Sequence, residues 1–170
     1  MSLMDIIQKR YSCRSYLEKE IEQEKLDKIF EAARLAPSAK NFQDWRFIVV
    51  TDKEIKAKAA ALTNRAPIFE KAGAIIAACS NKDYIMQCGQ AIGPIDVSIA
   101  LEHISLQAAE LGLATCWIGS FDAEKVRQLL EIPDDVVIIE LMTLGYPAEQ
   151  GKQNTRLAIE EILCYNKWSF

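Results

Sequence analysis

The sequence predicts an α+β fold in a single domain covering residues 1–170, and three observations carry that reading. Helical 3.6-residue patterns and short apolar runs alternate along the chain, without the regular strand–helix–strand beat of a doubly wound sheet. The 170 residues are 50% hydrophobic, enough for one domain with a substantial core. One helical stretch, Val97–Leu111, is apolar on more than one side. Val97, Ala100, Ile104, Ala108 and Leu111 form one stripe, and Ile99 and Leu106 form another. Such a helix must be buried on several sides, either centrally in the domain or against a second subunit.

The elements follow in order. Met4–Lys9 reads as a short helix with Ile6 and Ile7 turned inward. Leu26, Ile29, Phe30 and Ala33 recur at helical spacing, which predicts a helix from about Glu22 to Ala36 that Pro37 stops. A polar loop, Pro37 to Asp44, leads into an apolar strand at Trp45–Thr51. A polar helix over Asp52–Leu62 and a buried strand at Ala72–Cys79 come next, and Asn81–Pro94 reads as irregular. Asp96 takes the N-cap position of the Val97–Leu111 helix, and Gly112 ends it. Strand Ala114–Gly119, a helix capped by Asp122 and closed by Pro133, and strand Val136–Leu144 complete the core. The tail from Gly145 to Phe170 carries Lys152, Arg156 and an apolar stretch at Ile159–Tyr165.

Composition excludes several function classes. The net charge is −4 and no Lys/Arg run occurs, so nucleic acid is not an expected partner. No apolar run reaches the ~20 residues that span a bilayer, and the N-terminus lacks a signal-peptide layout. Five scattered cysteines without a CxxC pair describe a reduced, cytoplasmic protein with no zinc site. Gly-rich phosphate loops are absent, and the one histidine, His103, lies mid-helix among apolar residues.

Chemistry concentrates in four places. Arg10-Tyr11-Ser12-Cys13-Arg14 puts two guanidinium groups and a hydroxyl at alternate positions, roughly 7 Å apart on one face of an extended chain. That is an anion grip suited to phosphate, or else two solvated arginines beside a helix end. Ser38, Asn41 and Gln43 in the loop could read the edge of a planar heterocycle, or merely cap their own turn. Gly119 closes an apolar strand where backbone could approach a ligand, and Gly145-Tyr146-Pro147 precedes the basic residues of the tail. No acid–base or nucleophile apparatus is evident, which points to a cofactor that brings its own chemistry.

These segments resemble, in identity and order, the FMN-dependent nitroreductase family. The matching residues are Arg10-x-Ser12-x-Arg14, Ala36-Pro37-Ser38 with Asn41, Gln43 and Trp45, Leu111-Gly112-Leu113 through Trp117-Ile118-Gly119, and Leu144-Gly145-Tyr146-Pro147. The resemblance covers nearly the whole chain. It implies a central mixed β-sheet flanked by helices, and an intertwined homodimer with FMN at the interface and the C-terminal segment crossing to the partner.

By the same resemblance, Arg10, Ser12 and Arg156 would hold the FMN phosphate, with Tyr11 between them. Arg14 would lie near the ribityl chain or pyrimidine edge, and Asn64 near that edge. Pro37, Ser38, Ala39, Asn41 and Gln43 would line the site from the other subunit. Ile118 and Gly119 would bring a backbone N–H to flavin N5. The implied activity is a hydride relay from NAD(P)H through FMN to a nitroaromatic, quinone or similar planar small-molecule acceptor. FMN would carry the chemistry, with Arg14 stabilising negative charge. The alternative is a flavin-binding storage or redox-sensing module without NAD(P)H turnover. Asp44 stands where many relatives carry proline, which predicts a looser loop. The run Ile118-Gly119-Ser120 lacks the acid that larger relatives carry beside that glycine.

Overall fold

The β-branched runs at the centre of the chain assemble one antiparallel sheet, and their alternation decides what covers each face. The computed structural model describes residues 2–81, 84–151 and 155–169. Strands β1 (Trp45–Val50), β2 (Ala74–Ser80), β3 (Ala114–Ile118) and β4 (Val137–Gly145) lie in the order β1-β2-β4-β3. The mixed sheet expected from the resemblance is antiparallel among these four strands. Its parallel component is a single bridge, Ser12 to Thr115, where the N-terminal segment flanks β3.

All seven residues of β2 are buried, because helices cover both faces. Ile75, Ala77 and Cys79 pack with α3 (Lys53–Ala61), α4 (Ala66–Glu70) and α6 (Ala123–Leu129). Ile76 and Ala78 pack with α2 (Gln23–Arg34) and α5 (Ile92–Glu110). Two of the expected elements need correction. Helix α5 starts five residues before Val97, and Asp96 is buried within it rather than capping it. Pro94 falls in its first turn, where a missing N–H costs nothing. Helix α4 was not foreseen, since its five residues are too few to repeat the 3.6-residue period.

Helix α5 is the central one inferred from its several apolar sides. Its Ser105 hydroxyl receives bonds from Thr115 and from the Trp117 indole, both at 3.3 Å, which pins it against β3. By contrast α1 (Leu3–Lys9) buries none of its residues, and Ile7 lies exposed rather than inward. The described tail residues are equally uncovered: Leu157, Ile159, Ile162, Tyr165 and Trp168 are each more than half exposed. His103 serves the fold, its Nδ1–H donating to the Ala32 carbonyl oxygen at 3.0 Å. Among the described residues no helix is long and apolar enough to cross a membrane.

Candidate functional site

The segment after α1 is extended because β3 and the chain after β4 both hydrogen-bond to it. Cys13 N–H donates to Thr115 O at 2.9 Å, Leu17 N–H to Tyr146 O at 2.9 Å, and Ala148 N–H to Ser15 O at 2.9 Å. Cys13 is buried and Tyr11 packs on the same apolar cluster, which leaves Arg10, Ser12 and Arg14 for the alternate positions. The Tyr11 hydroxyl donates to Glu149 O at 2.9 Å, and its ring fills the space above Gly151 that any side chain there would need. Tyr11 is therefore a latch that starts the tail beside the grip. Burial pushes its hydroxyl pKa up, with Cys13 adding to the effect.

Arg10 is the most constrained member of the grip. Its Nε is buried without a hydrogen bond and lies 3.7 Å from Glu102 Oε1 of α5. Glu102 in turn is pushed up by burial, which the Arg10 charge partly offsets. Arg14 is exposed and bonds only backbone, Nη1 to Ser12 O at 3.3 Å. A cavity of about 360 Å³ opens along Tyr11, Ser12, Arg14, Ser15 and Gly151. A second of about 510 Å³ lies between Arg10, Tyr11, Ser105, Thr115 and Pro147.

Gly119 follows β3 four residues beyond Thr115, the residue paired with Ser12, or about 13 Å along the strand. It is exposed, with Ile118 buried behind it. A Cβ at Gly119 would meet only the Glu140 carboxyl oxygens, at 3.6 and 3.7 Å, which is ordinary contact. Internal packing therefore does not require a glycine there. Asn64 sits alongside: the Ser120 hydroxyl donates to its Oδ1, and Thr63 bridges to Phe121. Arg14, Arg65 and Glu140 all act on the buried thiol of Cys116, the first two lowering and the last raising its pKa, while burial raises it most. The structure thus gathers Arg14, Asn64 and Gly119 around the end of β3.

The loop after α2 is held elsewhere, over the N-terminal part of α5. Lys40, Asn41 and Gln43 have φ of 50°, 54° and 52°, left-handed conformations that cost roughly 1–2 kcal/mol each for residues with a Cβ. Buried Asp96 holds them by accepting the Ala39 N–H with both carboxylate oxygens, at 3.2 and 3.1 Å. Ser38 Oγ accepts the Gln43 N–H at 3.0 Å, and Gln43 Nε2 reaches the Asn41 carbonyl at 3.4 Å. Ser38 and Gln43 therefore shape the turn, while Pro37 and Asn41 are exposed and face outward. Asp44 is buried and accepts the Ser80 hydroxyl, so the loop is tethered rather than loose.

Arg156 lies exposed on the tail, its Nη1 3.3 Å from Thr155 O, and Lys152 falls outside the described residues. Sequence reasoning missed Asp96 as the loop's anchor and Glu140 beside Gly119. The signal available for Glu140 was a carboxylate inside an otherwise uncharged strand.

Two arginines and a hydroxyl thus lie beside a strand that ends in an accessible glycine. Comparison with known proteins assigns the chain to a family. The nitroreductase family signature matches residues 7–80 and 60–146. A putative NADH dehydrogenase/NAD(P)H nitroreductase of Archaeoglobus fulgidus is 34% identical over 151 residues, covering 86% of each chain. An FMN reductase [NAD(P)H] of Bacillus subtilis is 31% identical over 169 residues, covering 89% of this chain and 68% of that one. The crystal structure of a nitroreductase family protein from Clostridium difficile 630 superimposes with a TM-score of 0.89 at 32% identity, over 99% of this chain and 100% of that one. The chain belongs to the nitroreductase family.

Proposed function

We propose that this chain is an FMN-dependent oxidoreductase that draws on NAD(P)H and reduces planar acceptors such as nitroaromatics or quinones by a ping-pong relay. When bound, FMN supplies the hydride exchange between the nicotinamide and the acceptor. The observation that carries the reading is the ruler laid along β3, with the Arg10/Ser12 grip at one end and Gly119 at the other. The buried, unpartnered Nε of Arg10 fits a phosphate oxygen, which would supply the acceptor it lacks. Gly119 fits the approach of a ring, since it is exposed and only the Glu140 carboxyl lies within 4 Å of its Cβ position.

In this reading Arg10 and Ser12 bind the phosphate, and Arg156 joins them from the tail. Arg14, bound only to backbone, stays available to offset negative charge at the pyrimidine edge, where Asn64 also lies. Gly119 presents its N–H, with Ile118 buried next to it. The loop residues Pro37, Ala39 and Asn41 belong to the same site only if a second copy brings them across. A homodimer is supported by the uncovered apolar residues Leu3, Met4 and Ile7 of α1, Ile95 of α5 and the tail. Five free cysteines fit a cytoplasmic setting.

The test is direct. Purified protein is expected to carry flavin absorption, or to gain it on titration with FMN, and to bleach with NADPH under nitrogen. Colourless protein that takes up no FMN overturns the reading. Bound flavin that NADPH leaves unbleached reduces it to a carrier. Sedimentation is expected to give a dimer of the 19.1 kDa chain, with monomer at micromolar concentration as the contrary result.

A further inference from the structure

Glu140 is the only charged residue among the nine of β4, and among the described residues no cation pairs with it; only the backbone amides of Ile118 and Leu141 face its carboxylate. Its register partner on β2 is Ala78, and Leu141 beside it pairs with Ile118. Glu140 therefore lies across from Gly119, where its two oxygens stand 3.6 and 3.7 Å from the glycine's Cβ position. Oε1 is buried and makes no hydrogen bond. A buried carboxylate oxygen left without a hydrogen bond is costly, even on a half-buried side chain whose carboxylate also faces two amides. A group kept at such cost beside the accessible glycine has work to do on that side of the sheet.

Resting on the flavin reading above, we propose that Glu140 is a positioning residue for the redox step. Its carboxyl lies behind Gly119 and couples the electron affinity of a ring bound there to proton uptake by the protein. The balance is simple. A hydride carries two electrons and one proton from NAD(P)H, which becomes NAD(P)⁺, and the ring gains one negative charge. Where Glu140 is ionised beforehand, that new charge draws one further proton from solvent onto its carboxylate. Burial already raises its pKa above the ordinary carboxylate value, an effect that the amides of Ile118 and Leu141 partly counter. A nearby negative charge raises it further.

The other titratable groups about this end of the sheet have separate roles. Cys116 on β3 is held protonated by burial, and Arg14 and Arg65 act on that thiol. Asp96 of α5 is engaged by the Ala39 amide and Asp44 by the Ser80 hydroxyl.

The experiment measures flavin midpoint potential against pH for FMN-loaded wild type and Glu140→Gln. A tenfold change in proton concentration is worth about 30 mV per proton for a two-electron couple. Wild type is expected to be steeper than the variant by about that amount per pH unit over a window above pH 4.5. Oxidised FMN should bind both proteins within about threefold. Superimposable profiles overturn the proposal, and loss of FMN uptake in Glu140→Gln overturns it by making the residue a binding group. Reduced-minus-oxidised infrared spectra of wild type give a check that needs no variant. A gained protonated-carboxyl band is expected, and its absence counts against Glu140. Wild type that takes up no FMN at all fails the flavin reading itself, before any potential is measured.

Discussion

The two ends of the β3–β4 pair are each flanked by a glycine, for opposite reasons. At the start of β3, Ala114 pairs with Gly145, and there the fold is closed. A Cβ on Gly145 would lie 2.9 Å from the Gly73 backbone nitrogen and 3.0 Å from the Tyr16 ring. Tyr16, 2% exposed, shares a 2.9 Å hydrogen bond with Thr143 and reaches the Cys13 carbonyl at 3.3 Å. Next to it Lys19 stands 3.9 Å over the Tyr146 ring, while Lys25 and Glu22 both bond the Tyr146 hydroxyl. Here the polar groups are matched and the space is filled. At the far end Gly119 has room, Glu140 Oε1 has no partner, and the loop over α5 is strained. The closed end holds the fold, and the open end waits for something outside the chain.

The largest expected effect tests the closed end. Gly145→Ala should cost about 1–3 kcal/mol of stability by overpacking, since a backbone nitrogen cannot swing aside. A urea midpoint unchanged from wild type would show that the end is not tightly packed. Comparable in size but different in kind is Arg10→Ala at the open end. Losing a charge-assisted bond of about 1.5–3 kcal/mol should weaken FMN binding roughly ten- to a hundredfold. The apoprotein should lose no more than about 1 kcal/mol, because the pair with half-exposed Glu102 is loose. Wild-type FMN affinity in this variant would remove Arg10 from the phosphate site.

Gly119→Ala sharpens the contrast between the glycines. The apo stability should stay within about 0.5 kcal/mol of wild type, as at an unremarkable surface position. FMN affinity should fall about tenfold or more, because the methyl group would stand between the Glu140 carboxyl and the backbone that contacts the ring. Equal destabilisation by both alanines would erase the distinction between the two ends.

The distinction was not legible in the sequence, and the reason is physical. Both glycines close apolar runs, and only the neighbours brought by register tell a crowded one from an open one. What periodicity encodes was readable: Leu26, Ile29 and Ala33 mark α2, the several apolar sides of α5 mark a central helix, and Gly112 at φ 76° ends it. The extended segment that sets Arg10, Ser12 and Arg14 at alternate positions was readable too, because such alternation is local. Asp96 was misplaced because an aspartate before an apolar run looks like a cap. Pro94 in the first turn was the better start signal. Asp44 reads as a loosening substitution until the fold sets Ser80 beside it. Glu140 meets Gly119 only through the β3–β4 pairing, so no local pattern announces it.

The smallest expected effect separates the ends by the sign of their pH dependence. Glu22, at the closed end, is lowered to about 2, chiefly by the bond from the Tyr146 hydroxyl, next by its own backbone N–H, and less by Lys25 and Lys19. A carboxylate whose folded pKa is depressed binds fewer protons folded than unfolded. Its contribution is therefore complete above pH 4.5 and fades as pH falls from there through about 2. Glu140 is shifted the other way, so the folded state binds more protons than the unfolded one above pH 4.5. Its neutral form favours folding, and that contribution is lost as pH rises through its raised pKa. Tyr146→Phe should therefore lower stability at neutral pH by a small amount that vanishes in acid. Glu140→Gln should raise apoprotein stability at neutral pH and leave it unchanged below pH 4.5. Urea midpoints of both variants and wild type from pH 3 to 8 measure this, and difference curves of the same sign would overturn the assignment of one shift or the other.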